Sequence, residues 1–313
     1  MTDTDLQALA GRTAIANAPV SYGAFEITVG IVDNVPDPIT LHDAVVGAQY
    51  EGLDLGPLGY LGRGEEIAER LGSRGLSLAG GYLGLPFSEA GAFEAALPGL
   101  DELLDIFDAV PAGRFPARPT LADAGSPQRA KLPGRSATDH SVGLDDAGWG
   151  RLAVNLERAA AHCRSRGYEP TFHHHTATYV EAQWEIDRML ELTDVGICLD
   201  TGHLLLGRGD PVSAIREWGS RLNHVHLKDA RQEILDAIVD DAAPVVEIWT
   251  RRAFCPLGEG DVAIDEVLAA LDDVGYSGWI VVEQDMIPEP GETAARAIAE
   301  QDANRRFLRE RGL

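Results

Sequence analysis

Two stretches decide the fold: Asp194-Val-Gly-Ile-Cys-Leu-Asp-Thr-Gly-His203 and Leu222-Asn-His-Val-His-Leu-Lys-Asp229. Each reads as a short apolar β-strand that ends in charged and imidazole side chains. A buried strand does not tolerate such groups unless they are paired. Carboxylate and imidazole groups at adjacent strand ends are ligands that a divalent transition metal uses, so the pattern predicts a metal site at the edge of a sheet.

The composition allows a large hydrophobic core and argues against two classes of partner. The 313 residues are 45% hydrophobic, enough for one large α/β barrel or two smaller domains. The net charge of −24, from 26 basic and 50 acidic residues, opposes binding to nucleic acid or anionic membranes. Three dispersed cysteines without a CxxC pair indicate neither a disulfide scaffold nor a zinc finger. The polar, acidic residues 1–5 lack a secretory apolar segment and no membrane-spanning run follows, so we expect a cytoplasmic protein.

Short apolar runs alternate with helical patterns along the chain. The predicted strands are 13–20, 52–56, 76–80, 118–123, 169–175, 195–200, 222–227 and 279–283. The predicted helices are 39–49, 65–74, 88–110, 145–166, 179–192, 264–274 and 293–310, with another opened by Asp210-Pro211. We expect Pro98 to interrupt its helix, 125–144 to be a long loop, and 231–250 to be partly helical.

Eight such strands predict an α/β protein with a TIM-type (β/α)8 barrel, formed by one domain over residues 1–313. A doubly wound open sheet is the alternative, but no GxGxxG follows the first strand. In a barrel, the C-terminal ends of the strands meet at one mouth. The polar residues predicted at these ends are Asp54, Asp123, His173, His175, Asp200, His203, His226, Lys228 and Glu283. Mixed nitrogen and oxygen ligands favour Mn, Fe, Co or Zn over Ca or Mg.

Six motifs carry a family resemblance. They are Gly52-Leu-Asp-Leu-Gly-Pro-Leu-Gly-Tyr60, His173-His-His-Thr-Ala-Thr178, Leu199-Asp-Thr-Gly-His203, His224-Val-His-Leu-Lys-Asp229, Pro256-Leu-Gly-Glu-Gly-Asp261 and Gly278-Trp-Ile-Val-Val-Glu-Gln-Asp285. With them the chain resembles the sugar phosphate isomerase/epimerase group of xylose isomerase-like TIM barrels. Within that group it is most similar to the inosose (2-keto-myo-inositol) dehydratases.

The resemblance implies a divalent metal ion held by one residue from each of strands five to eight. Asp200, His226 and Glu283 match three of these ligands, but the usual fifth-strand Glu is absent. His173 stands at the matching place and is the predicted fourth ligand, with His175 and Glu181 as alternatives. The resemblance also admits a homodimer, and it implies that His203 and Arg231 touch the substrate.

The expected reaction is dehydration of a keto-inositol-like cyclic polyol. Loss of water beside a ketone needs a base for the α-proton, a Lewis acid for the enolate oxygen, and an acid for the leaving hydroxyl. The predicted catalytic groups are Glu283, His175 and Lys228, and the predicted substrate-binding groups are Asp54, His203 and Arg231. We find no Arg or Gly-rich phosphate-binding motif after strands seven and eight, which favours a neutral sugar or polyol as the substrate.

Other functions and structural roles remain open at this point. A sugar isomerase or epimerase is the main alternative, although two-base epimerases use the missing Glu. An abasic-site endonuclease is disfavoured by the acidic composition, and a non-catalytic sugar-binding protein would lack a metal. Lys228 has a structural alternative as a partner of Asp229 or of a neighbouring carboxylate, and Asp54 has one as a helix cap. His174 and His224 are predicted to be core residues.

Overall fold

The computed structural model describes residues 6–313, apart from the side chain of Ala90. The prediction about a secretory segment concerns residues 1–5, which lie outside the described residues. The strands are β1 Thr13–Asn17, β2 Gly52–Leu53, β3 Ser77–Leu78, β4 Gly80–Leu85, β5 Arg118–Asp123, β6 Thr171–His173, β7 Gly196–Asp200, β8 Leu222–Leu227, β9 Asp229–Ala230, β10 Phe254–Cys255 and β11 Gly278–Val282. The helices are α1 Gln7–Arg12, α2 Pro38–Gly47, α3 Glu65–Gly72, α4 Ala90–Ala109, α5 Pro127–Lys131, α6 Asp146–Ser165, α7 Gln183–Leu192, α8 Thr201–Leu206, α9 Pro211–Trp218, α10 Gln232–Asp240, α11 Val246–Thr250, α12 Ile264–Asp273 and α13 Ala295–Arg309.

Parallel strands form one sheet in the order β3-β2-β1-β11-β8-β7-β6-β5-β4. Only Ala79 separates the two strands at the ends of this order. Its N–H donates to Leu53 at 3.0 Å, and its carbonyl accepts from Arg118 at 3.1 Å, so the sheet closes on itself. The predicted (β/α)8 barrel is therefore confirmed, with β3 and β4 together as its third strand.

Helix α4 runs through Pro98 without a break, so the predicted interruption is wrong. Proline removes one helical hydrogen bond and crowds the preceding turn. However, Phe93, Leu100 and Leu104 of this helix are all buried in the hydrophobic core. Tertiary packing of an apolar face stabilises helices more than propensity does, which explains the continuity.

The segment 125–144 is not the long loop that its composition predicts. It contains α5 and two 3-10 turns, Arg135–Ala137 and His140–Val142. The segment is anchored by Arg129, whose guanidinium is buried against two carboxylates. Arg129 Nη2 lies 2.9 Å from Glu181 Oε2, and its Nη1 lies 2.8 Å from Glu185 Oε1. A buried ion pair between segments that are distant in sequence thus orders this stretch.

Replacing Arg129 by methionine is expected to lower the free energy of unfolding by about 3–5 kcal/mol, because two buried carboxylates lose their cation. Urea denaturation followed by tryptophan fluorescence measures the change. The matched control is Arg158→Met, which removes a surface pair with Glu94 whose side chains are 49% and 54% exposed. Exposed pairs add little stability, so equal midpoint shifts in the two variants would contradict the assigned role of Arg129.

The predicted partly helical stretch 231–250 is confirmed as α10 and α11. Two short helices, α1 and α8, have no counterpart in the sequence-based prediction. Among residues 6–313, none of the helices combines the length and the apolar character that crossing a membrane requires.

Candidate active site

Four predicted metal ligands lie at the C-terminal ends of neighbouring strands. His173 ends β6, Asp200 ends β7, His226 lies near the end of β8, and Glu283 directly follows β11. The strand order β11-β8-β7-β6 makes these four strands consecutive neighbours, and Asp200 pairs in register with His226. The closed parallel sheet therefore brings together residues that are 110 positions apart in sequence (283 − 173).

The four side chains converge to within 4.8 Å, measured between one candidate ligand atom from each. His226 Nδ1 lies 3.1 Å from Glu283 Oε2 and 3.9 Å from Asp200 Oδ2. His173 Nε2 lies 3.4 Å from the same Asp200 oxygen. All four groups are buried. Neither ring nitrogen of His226 has a hydrogen-bond partner among residues 6–313, and Asp200 Oδ2 also lies 3.0 Å from the Lys228 ammonium nitrogen. Buried orphan atoms of this chemistry fit a divalent transition metal.

Glu181, one alternative for the fourth ligand, is held elsewhere. Besides Arg129, it accepts hydrogen bonds from the backbone N–H groups of Gly134 and Ala177, at 2.8 and 2.7 Å, and from the Ser136 hydroxyl at 2.8 Å. Its carboxylate therefore orders the segments around it. Of the alternatives, only His173 lies in the set with Asp200, His226 and Glu283.

Cys198 is buried in β7 and lies close to the site. Its Sγ and one ring nitrogen each of His173 and His226 lie within 4.8 Å of one another. Burial raises the pKa of the Cys198 thiol, so the sulfur is neutral and packs beneath the ligand set.

The motif Asp200-Thr-Gly-His203 joins the ends of β7 and β8. Asp200 caps α8 by accepting a hydrogen bond from the His203 N–H at 2.8 Å. The Thr201 hydroxyl donates to the Lys228 carbonyl at 2.6 Å and accepts from the Lys228 N–H at 2.9 Å. A Cβ at Gly202 would lie 2.8 Å from Lys228 Cγ, so the glycine leaves room for the lysine stem. The motif thus positions Lys228 beside Asp200.

Lys228 is buried at the centre of an acidic cluster. Its Nζ lies 3.0 Å from Asp200 Oδ2, 2.9 Å from Glu283 Oε2 and 2.7 Å from Asp285 Oδ1. Burial opposes the charged form, but these carboxylates hold the pKa of Lys228 well above its usual value. The side chain is therefore an ammonium ion that shares two carboxylates with the candidate metal site.

Of the two structural alternatives for Lys228, pairing with neighbouring carboxylates is the one observed, while Asp229 is hydrogen-bonded to a different loop. Its Oδ2 accepts hydrogen bonds from the backbone N–H groups of Gly258 and Gly260, at 2.8 and 3.0 Å. Any Cβ at Gly260 would collide with this carboxylate, so the Pro256–Asp261 motif is explained by loop structure. Asp285, by contrast, was not predicted as a site residue. Its position two residues after Glu283 was the available signal, because alternate residues of an extended chain share a face.

Three more groups, His175, His203 and Asp285, form a second set beside the first. Their candidate ligand atoms also lie within 4.8 Å of one another, and the two imidazole rings are 4.0 Å apart. His203 Nδ1 is hydrogen-bonded to the Thr176 hydroxyl at 2.8 Å, and its Nε2 lies 3.5 Å from Asp285 Oδ2. Burial is the first cause that lowers the pKa of both imidazoles, to about 4 for His175. Neutral rings here can exchange hydrogen bonds with a hydroxylated ligand.

Asp54 lies against His226, a predicted metal ligand. Its Oδ2 is 3.5 Å from His226 Nε2, on the opposite side of the ring from Glu283. Burial raises the pKa of Asp54 to about 6, although His226 opposes the shift. A carboxylate behind a ligand imidazole orients the ring and selects its tautomer.

For the predicted metal site, Asp54→Ala is expected to weaken divalent-metal affinity by about 10–100-fold, because the His226 ring loses its supporting carboxylate. Competition with a chelator of known affinity measures the change. Asp43→Ala is the control, since Asp43 forms only a surface pair with Arg74. An unchanged affinity in the Asp54 variant would show that the carboxylate does not act through His226.

Arg231 is the predicted substrate-binding residue that the structure does not bring to this site. Beyond Lys228, strand β9 leaves the barrel sheet and pairs antiparallel with β10. Arg231 instead lines a separate depression of about 280 Å³ and pairs with Glu259 at 3.2 Å. Buried Phe254 lies between, with its ring 4.9 Å from that of His203.

The two predicted core histidines are both fully buried. His174 Nε2 accepts a hydrogen bond from the Asp200 N–H at 3.3 Å, so it supports the end of β7. The His224 ring lies 5.2 Å from that of His226, and neither of its nitrogens has a hydrogen-bond partner within residues 6–313.

The ligand set opens into a cavity of about 570 Å³ at the mouth of the barrel. The polar groups at its floor include His173, His226, Lys228, Glu283 and Asp285. This volume lies in the range of roughly 300–1,000 Å³ that holds small-molecule ligands. The arrangement can therefore bind a small oxygenated molecule beside a divalent ion, an ammonium group and two neutral imidazoles.

Sequence comparisons identify relatives of this chain. The family model described as "Xylose isomerase-like TIM barrel" matches residues 65–310. An inosose dehydratase 2 from Bacillus cereus is 33% identical over 169 residues, which cover 52% of this chain and 54% of the relative. An inosose dehydratase from Geobacillus kaustophilus is 36% identical over 148 residues, covering 46% of this chain and 48% of the relative. The chain thus spans about half the length of the curated relatives it matches.

Solved structures with the same fold include two that concern sugars or metal. A D-allulose 3-epimerase from Methylomonas sp. superimposes with a TM-score of 0.67 at 13% identity, covering 96% of this chain and 98% of the other. The IOLI protein with a bound zinc atom superimposes with a TM-score of 0.66 at 12% identity, covering 95% of this chain and 97% of the other. At such identities the similarity concerns the fold alone.

Proposed function

Because the chain belongs to the xylose isomerase-like TIM barrel family, we propose that it is a metal-dependent lyase that dehydrates a keto-inositol-like cyclic polyol. The observation that carries the proposal is the convergence of His173, Asp200, His226 and Glu283 to within 4.8 Å at the cavity floor. The inosose dehydratases among its relatives support the substrate class. The zinc atom in a protein of the same fold supports a divalent ion.

In the proposed reaction, His173, Asp200, His226 and Glu283 hold the ion. When bound, the ion supplies Lewis-acid stabilisation for negative charge that develops on the ketone oxygen. We assign the proton transfers of the reaction to three groups. Lys228, an ammonium between carboxylates, donates hydrogen bonds and a proton to the departing hydroxyl. Glu283 and His175, which can accept protons, are the two candidates for removal of the α-proton.

The neutral imidazoles of His175 and His203 would orient the ring hydroxyls. Thr176 contacts both, since its hydroxyl bonds to His203 Nδ1 and its carbonyl to His175 Nδ1 at 2.8 Å. Asp285 lies on the other side of His203 and also contacts Lys228. Asp285 therefore connects His203, which would bind the polyol, to Lys228, which would protonate the leaving oxygen.

The test is to incubate the purified protein with 2-keto-myo-inositol and Mn²⁺ or Co²⁺. We expect a product lighter by one water molecule, with the ultraviolet absorbance of an enone or diketone. Metal-free protein is the control. A product of unchanged mass would establish the isomerase or epimerase alternative, and no product with any of Mn, Co, Fe or Zn would overturn the proposal.

The fifth-strand position favours the lyase over the epimerase. An epimerase that exchanges protons on two faces of one carbon needs two bases, and His173 occupies the place of the second Glu. His173 is itself within 3.4 Å of Asp200 in the ligand set. One carboxylate base near the ion is sufficient for an elimination.

A further inference from the structure

The cavity is polar on one side and apolar on the other. The polar side follows β5 and β6 and includes Asp123, Ser126, Thr176 and Thr178. Asp123 Oδ1 accepts hydrogen bonds from the N–H groups of Gly125 and Tyr179, at 2.8 and 3.1 Å, which fixes this side.

The opposite wall has a different chemistry. It is built by segments that follow the adjacent strands β1 and β2 and by α11 with the residue before it. The side chains of this apolar wall are Val20, Phe25, Ile27, Leu58, Val245 and Trp249. The rings of Phe25 and Trp249 lie 5.5 Å apart, so the segment after β1 and α11 meet in this wall. The six apolar side chains can hydrogen-bond a hydroxyl only through the indole N–H, and the charged side chain that lines the cavity from this segment is Glu26, between Phe25 and Ile27.

The same two segments also carry exposed apolar side chains. Ile27 is 46% exposed and Ile31, four residues on, is 72% exposed. Val246, next to Val245 in the wall, is 36% exposed. Leaving such side chains in water gives up the free energy of burial, which is proportional to the apolar area covered. A ligand covering them would recover it.

From this sidedness we infer that the substrate is a cyclic keto-polyol that carries an apolar substituent, with the hydroxylated ring at the cavity floor and the substituent against the apolar wall. A bare polyol would face six apolar side chains, with the Glu26 carboxylate and the Trp249 indole N–H as the side-chain partners for its hydroxyls there, so part of its polar surface would lose its hydrogen bonds to water without replacement, which costs affinity. The volume of about 570 Å³ accommodates more than a single hydroxylated ring. The inference rests on the proposed function, because it extends the substrate of the same site.

A glycoside of 3-ketoglucose is a suitable probe, because it combines a hydroxylated ring that carries a ketone with a substituent that can be made apolar. The base removes the proton from the carbon between the ketone and the acetal carbon, and its electron pair forms a carbon–carbon double bond. The bond from the acetal carbon to the substituent oxygen breaks, and that oxygen leaves with the bonding electrons and takes up a proton. The products are an enone and an alcohol. The elimination is redox-neutral and requires no co-reactant.

The experiment compares the benzyl and methyl glycosides of 3-ketoglucose, which differ in the apolar group and yield the same enone. With Mn²⁺-loaded protein, kcat/KM for the benzyl glycoside is expected to exceed that for the methyl glycoside by at least about tenfold, because the aromatic ring buries against the wall. Enone absorbance follows both reactions, and 2-keto-myo-inositol is assayed alongside.

Two variants locate the effect. Trp249→Ala and Ile27→Asn are each expected to lower the benzyl-to-methyl ratio toward one. Ile27 is 46% exposed, so the Ile27 variant is expected to fold even if the Trp249 variant does not. The matched control is Ile39→Asn, at a position 57% exposed and outside the cavity, which should keep the wild-type ratio.

The outcomes separate the inference from the proposed function. A ratio near one while 2-keto-myo-inositol is dehydrated overturns the inference and leaves the proposed function intact. A high ratio that survives in both wall variants also overturns it, since the preference would then arise elsewhere. No elimination from any of the three compounds overturns both.

Discussion

Replacing Asp200 by asparagine is expected to remove the bound metal ion and to lower kcat/KM at least about a thousandfold, since Lewis-acid stabilisation contributes several kcal/mol. Asp200 Oδ2 is the oxygen that approaches His173 and His226, and it also lies 3.0 Å from Lys228 Nζ. Asparagine keeps a side-chain oxygen for the cap bond to the His203 N–H. The substitution therefore removes charge while retaining the local fold.

Metal content by mass spectrometry of the purified protein and turnover with added Mn²⁺ measure this effect. Asp210→Asn is the matched control, because Asp210 also caps a helix, through the Val212 N–H, but lies outside the ligand set. We expect one ion per chain in the control and almost none in the Asp200 variant. Full metal content in both would mean that Asp200 is not a ligand.

Replacing Lys228 by methionine is expected to lower the free energy of unfolding of the metal-free protein by about 3–5 kcal/mol, because buried carboxylates lose their cation. Asp200, Glu283 and Asp285 surround the ammonium within 3.0 Å. A divalent ion would supply positive charge to two of the same carboxylates. Adding Mn²⁺ should therefore stabilise the variant more than it stabilises the wild-type protein.

Urea denaturation with chelator and with Mn²⁺ tests this coupling. Lys131→Met is the control, since Lys131 is the only other lysine of the chain and is exposed at the end of α5. Turnover of the Lys228 variant is expected to fall about 10²-fold or more, as for loss of a general acid. An equal loss of stability with and without metal would show that lysine and ion do not share carboxylates.

The barrel could be predicted because each of its strands is a local pattern. Buried parallel strands read as continuous apolar runs, and the helices between them have their own period. The boundaries were less predictable. Strand β2 ends at Leu53 and β6 at His173, earlier than the predicted 56 and 175, because the chain leaves the sheet where its polar side chains turn into the cavity.

The metal set was predictable for a related reason. In a barrel the C-terminal ends of all strands lie at one mouth, so a polar residue at a strand end can be placed at that mouth from the sequence. His173, Asp200, His226 and Glu283 all obey this rule, and their role as ligands stays a prediction. Arg231 was not a strand-end residue: its role was implied by the family resemblance, and after two residues of antiparallel pairing in β9 it lines a separate depression.

What the sequence by itself determined is the order of strands and helices and the identity of the groups at each strand end, since both depend on residues adjacent in the chain. Only the tertiary structure decided which buried charges pair. Glu181 is held by Arg129, 52 positions away, and Lys228 lies among carboxylates from two other strands. Such pairing depends on packing between distant segments, where burial raises the cost of an unpaired charge and no local pattern records the partner.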